Sequence, residues 1–229
     1  MGGMPMPDES MVSMAWMPMP GQSWLGAAAT FVGMWSVMMI PMMLPSVTPL
    51  LWRYRRALES TVASKRSVLI ASVAAGYFIV WAAFGVAVFP FGAALAALES
   101  QLPALSTAAP IAAGVVVVIA GLSQFTAWKA RQLACCRDHL RSGDGLKVDA
   151  RSAWKLGVRA GLRCSGCCAG LMIILLVIGV MDWRAMAFVT AAITAERLAP
   201  AGERVARAIG VVVVAVGSLM IAGAVAVSA

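Results

Sequence analysis

Five cysteines carry the first chemical signal in this 229-residue chain. Cys164, Cys167 and Cys168 stand at i, i+3 and i+4, a spacing that projects three thiols from one face of a helix. Cys135 and Cys136 form a second group, closely followed by His139, the single histidine. Thiolate sulfur is a soft donor that takes Cu(I) or zinc, and imidazole suits either ion. The same stretch also reads as a packing surface, since Gly157, Gly161 and Ser165, and separately Gly166 and Gly170, are small residues at helical spacing. Packing and ligation are compatible, because a tight helix contact brings the thiols of two helices together.

Methionine supplies a second set of sulfurs. Seven of the 16 Met lie within the first 19 residues, in a segment too polar and too rich in proline to need them for packing. Thioethers shift the choice among soft ions toward Cu(I). The run MWSVMMIPMM continues the theme: Met34, Met38 and Met42 share a helix face, with Met39 and Met43 beside it. Gap-filling in a helix interior is the competing use of these residues. Pro41, Pro45 and Pro49 fall on one stripe and each removes a backbone donor, so a kinked, Met-lined passage is expected there.

Glu196 is the remaining candidate, an ionisable group inside or at the edge of an apolar segment. The plainer expectation is a headgroup-level carboxylate paired with the adjacent Arg197, and for Lys129, beside Gln124 and Trp128, a snorkelling side chain.

These residues need elements to hold them. The chain is 61% hydrophobic and 12% charged, with a mean hydropathy of +0.86, against about 25% charged residues in ordinary globular domains. The apolar residues come in blocks near the roughly 20 residues that cross a bilayer. An all-α, polytopic transmembrane helical bundle of about six spans is expected, at about 24–45, 68–90, 108–128, 162–181, 183–199 and 208–227, the fifth being short. Seventeen of the 18 Lys and Arg fall in alternate connections and only Arg184 lies on the other side, so the positive-inside rule puts both termini outside the cytoplasm of a bacterial inner membrane. Both cysteine groups then sit at cytoplasmic helix ends, where thiols stay reduced and clusters serve metals or catalysis more often than disulfides.

The chain divides into a Met/Pro-rich extracytoplasmic tail, 1–23, and a helical membrane domain, 24–229, with a cytoplasmic connection at about 129–161. The tail lacks a basic start and a usual cleavage site and is expected to remain in the mature protein. In the connection Lys147, Arg151, Lys155, Arg159 and Arg163 recur every fourth residue. Like charges at that spacing repel, and anionic lipids would relieve them, with Trp154 as interfacial anchor. The net charge of +8 therefore points to the membrane surface and not to nucleic acid.

MMIP in the first span, Tyr77 and Trp81 in the second, the stretch from Gln124 to Arg137, and CSGCCAGLM from Cys164 to Met172 together resemble a bacterial family described as predicted metal-binding integral membrane proteins of unknown function. The resemblance runs from about Trp35 to Glu196, and C-x-x-C-C is its most specific element. That family carries Lys-x-x-Cys-Leu-x-x-Cys-Arg after the third span. Lys129, Leu133, Cys136 and Arg137 match it; Gln132 replaces the first Cys and Cys135 is additional. The resemblance implies metal binding, with a ligand shifted or lost.

The leading expectation is a protein that binds or traffics a soft transition metal, Cu(I) first and zinc second, through Cys136, Cys164, Cys167 and Cys168, with Cys135, His139, Met38, Met39, Met42 and Glu196 as further candidates. A thiol–disulfide redox membrane enzyme using Cys164 and Cys167, or an accessory subunit of a larger membrane complex, stands as the alternative. A membrane-protein partner or a second copy of the chain fits any of the three. Hydrolytic chemistry finds no paired carboxylates or triad in the sequence.

Overall fold

A computed structural model describes residues 22–101, 103–141, 148–179 and 182–228, and within the helices the side chains at 99–100, 103–107, 137–141 and 227–228 lie outside the description. The expected tail falls almost wholly outside the described residues. The rest is helix: α1 Trp24–Ala57, α2 Ala63–Gln101, α3 Pro103–Ser123, α4 Ala127–Arg141, α5 Ala150–Ile178, α6 Trp183–Leu198 and α7 Gly202–Ser228. The all-α fold class expected from the apolar blocks is what the chain adopts.

Side-chain caps set several boundaries. Ser23 accepts from the Gly26 amide at 3.1 Å at the start of α1, Asp149 from Ser152 at 2.9 Å at the start of α5, and Asp182 from Arg184 and Ala185 at the start of α6. Gly179 ends α5 at φ +127°, a conformation open to glycine and rarely to other residues. Helix α1 runs unbroken through Pro41, Pro45 and Pro49.

Among the described residues four helices, α1, α2, α5 and α7, are long and apolar enough to cross a membrane. The expected bundle of about six spans compares with these four, or five if α3 and α4 are counted as one. The third breaks after Ser123, and α3 and α4 meet at 64°, the geometry of a broken span or of a re-entrant loop. The fifth, α6, has only 16 residues, about 24 Å at 1.5 Å each, short of the roughly 30 Å hydrocarbon layer. Exposed Trp52, Trp128 and Trp154 lie near the basic ends of their helices, and exposed Trp24 and Trp183 near the opposite ends. Such paired belts suit headgroup levels.

Glycines decide which helices touch. A Cβ at Gly157 would collide with the Val73 carbonyl, and one at Gly161 would come 2.9 Å from the Tyr77 carbonyl. The expected small-residue stripe of α5 is thus the surface that seats α2, with the two helices running parallel. Gly114, Gly121, Gly210 and Gly217 join α3 and α7 in the same way. Helix α1 completes the core through Phe31, Trp35, Met39 and Met43, and the Trp35 indole donates to the Trp81 carbonyl at 2.9 Å.

Candidate metal centre

The close α2–α5 contact puts Tyr77 opposite the cysteine face. Cys164, Cys167 and Cys168 are all buried, at 0%, 1% and 1% exposure. The Tyr77 hydroxyl donates to Cys164 Sγ at 3.0 Å, and Arg197 Nη1, from the last turn of α6, donates to the same sulfur at 2.8 Å. The Cys168 thiol donates to the Cys164 carbonyl at 3.0 Å and lies against the Cys164 sulfur, as i and i+4 neighbours on a helix do.

Helix α4 brings the second group. Cys136 is buried, its thiol donates to the Arg163 carbonyl at 3.2 Å, and it meets the Cys167 thiol in a small cluster with Leu133 and Ala206. The thiols are therefore arranged two and two: Cys164 with Cys168 along α5, Cys136 with Cys167 across α4 and α5. All five cysteines are free. Among the described residues no three Cys, His, Asp or Glu side chains are grouped to share one ion.

Next to the thiols lies an ion pair. Lys129 Nζ is 2.7 Å from Glu196 Oε2 and 2.6 Å from the Cys167 carbonyl oxygen, with both side chains buried. This corrects two expectations. Lys129 does not snorkel, because the bend before α4 turns it into the bundle. Glu196 does not pair with Arg197, because consecutive helical residues point about 100° apart; it faces α4 while Arg197 faces α5. Arg197 Nε and the Ser46 hydroxyl are buried without hydrogen-bond partners among the described residues. Ser46, Tyr77, Cys136 and Arg197 border a cavity of about 10 Å³, on the order of one water molecule.

The other predicted site residues divide. Cys135 is exposed and stands apart from the four buried thiols. His139 belongs to α4, but its side chain lies outside the described residues. Met38, Met39 and Met42 are buried, with Met39 and Met43 fully enclosed in the core. Of these Met42 also lines an open groove of about 760 Å³ between α1 and α6, together with Pro41, Met186, Thr190 and Thr194. From the sequence Arg197 is expected only as a cytoplasmic charge and a partner for Glu196, not as a site residue, and Tyr77 enters only as part of a resemblance. The available signal for both was a polar side chain at an apolar helix face.

The fold and this centre define a class: an all-helical bundle, with several helices long and apolar enough to cross a membrane, around buried free thiols and buried charge. A family model described as copper chaperone, PpoB2, matches residues 32–220. The chain belongs to that copper chaperone family, in agreement with the metal-related family its motifs resemble. No curated protein and no solved structure matches the chain significantly.

Proposed function

We propose that the chain is an integral inner-membrane protein that receives Cu(I) as cargo, holds it on cysteine sulfur and hands it on. The observation that carries this reading is the set of four buried, reduced thiols in two adjoining pairs, enclosed by α2, α4, α5 and α6. Soft thiolates select Cu(I), and the ion replaces the thiol protons, which leave to solvent. Zinc in a structural site asks for four ligands in a tetrahedron, which a two-and-two arrangement supports less well.

The groove beside Met42 and Met186 supports an approach for the ion from the membrane side of α1, with thioethers as weak stations before the thiolates. The outer Met-rich tail would collect the ion first, and the basic face of α5, with exposed Arg151, Lys155 and Arg159, suits anionic headgroups on the cytoplasmic side. A redox role for Cys164 and Cys167 gains no support, since both thiols are closed off from a protein substrate.

The test is elemental analysis of protein purified anaerobically in detergent after growth with copper and zinc. Wild type is expected to retain about one equivalent of copper, and a Cys164→Ala, Cys167→Ala, Cys168→Ala variant none. Metal-free wild type would sink the reading.

A further inference from the structure

The charges around the thiols do not cancel by themselves. Lys129 and Glu196 neutralise each other at 2.7 Å. Arg197 is 5% exposed, and among the described residues no carboxylate pairs with it; its Nη1 is spent on Cys164 Sγ. A guanidinium stays protonated in proteins, and burying an isolated cation is costly, so among the described residues the site carries one positive charge that no carboxylate answers. Sulfur is the group placed to answer it.

From this balance we infer that Arg197 determines specificity, fitting the Cys164–Cys168 pair to one monovalent soft ion and against a divalent one. The inference rests on the Cu(I) reading above and deepens it. Two thiolates and Cu(I) sum to one negative charge, which Arg197 cancels. Two thiolates and Zn(II) sum to zero and leave the guanidinium unbalanced in a dry site. Three or four thiolates around Cu(I) would overshoot, leaving one or two negative charges after Arg197 is counted. Geometry points the same way. Helical residues four apart hold their Cβ atoms about 5–6 Å apart, which suits two-coordinate sulfur ligation, and among the described residues no three Cys, His, Asp or Glu side chains are grouped. Tyr77 adds a donor to the same sulfur without adding charge, so the discrimination falls to Arg197 alone.

The experiment uses the full chain in detergent under reducing, anaerobic conditions, as wild type, Arg197→Lys and Arg197→Met. Cu(I) and Zn(II) affinities are read by competition with chromophoric chelators, and the quantity compared is their ratio. Arg197→Met is expected to lower the Cu(I)-to-Zn(II) preference by about 100-fold, on the scale of one unit charge about 6 Å away at an effective dielectric of about 20. Arg197→Lys keeps the charge and should keep most of the preference. An unchanged ratio in Arg197→Met, or equal weakening for both metals, would overturn the inference while leaving Cu(I) binding intact. Wild type that binds no Cu(I) on cysteine would instead overturn the proposed function, and this inference with it. Should Arg197→Met not fold, X-ray absorption at the copper edge of loaded wild type decides: two sulfur neighbours support the assignment, and three or four overturn it.

Discussion

Lys129 Nζ and Glu196 Oε2 meet at 2.7 Å although 67 residues separate them in the chain, and neither side chain retains meaningful exposure. The pair ties α4 to α6, and its ammonium also holds the Cys167 carbonyl, so the element carrying Cys136 and the element carrying Arg197 are fixed relative to the thiol face of α5.

Breaking that pair on one side should hurt more than removing it. Lys129→Met or Glu196→Leu leaves the partner as an unpaired buried charge, a loss of about 3–5 kcal/mol. The double variant replaces both with apolar groups and should recover most of the loss. Thermal unfolding in detergent checks this; additive losses would mean that the two residues act independently.

Gly157 offers a second test, of the packing that sets the site. Any side chain there drives into the Val73 backbone, so Gly157→Ala should cost about 1–3 kcal/mol through forced separation of α2 and α5, and it should also loosen the Tyr77–Cys164 contact. Gly33→Ala is the control, since a Cβ there meets nothing within 4 Å. Equal melting temperatures for the two variants would contradict the close α2–α5 packing.

Much of this frame is legible in the sequence, and the reasons are physical. Apolar blocks with basic connections announce helices, and the Gly157–Gly161 stripe announces a close contact, because both signals are periodic and local. The cysteine face of α5 is legible for the same reason. What could not be read is which distant group meets which thiol. Lys129 and Arg197 look like boundary charges because a basic residue at a helix end ordinarily reaches for headgroups. Their burial depends on the bend between α3 and α4 and on the shortness of α6, neither of which leaves a periodic trace. The bend itself falls at Gln124–Thr126, where Thr126 turns its hydroxyl back to the Ser123 carbonyl and accepts from the Lys129 amide, a local capping exchange easily read as the continuation of a span.

Thiol accessibility separates Cys135 from the rest. In folded, metal-free protein one cysteine should react rapidly with a maleimide, and peptide mass spectrometry should locate it at Cys135, the exposed thiol. Cys136, Cys164, Cys167 and Cys168 should label only after denaturation. Fast labelling of Cys164 in the folded protein would mean that the α2–α5 seam opens, and would revive thiol exchange with an outside substrate.

Tyr77 tests the thiol pair most directly, because its contribution is a single hydrogen bond at the end of an otherwise apolar contact. Tyr77→Phe keeps the ring in the core and removes only the donor to Cys164 Sγ, which lies 3.0 Å away. A net hydrogen bond is worth about 0.5–1.5 kcal/mol, so Cu(I) affinity should fall roughly 2- to 10-fold with little change in melting temperature. The sign follows from where the bond is made: a hydroxyl donating to sulfur stabilises the charge that sulfur carries when it ligates an ion. In a Cys164→Ala background the same substitution should change affinity little, since the sulfur it serves is gone. A loss of equal size in both backgrounds would show that Tyr77 acts through packing, and would remove it from the centre.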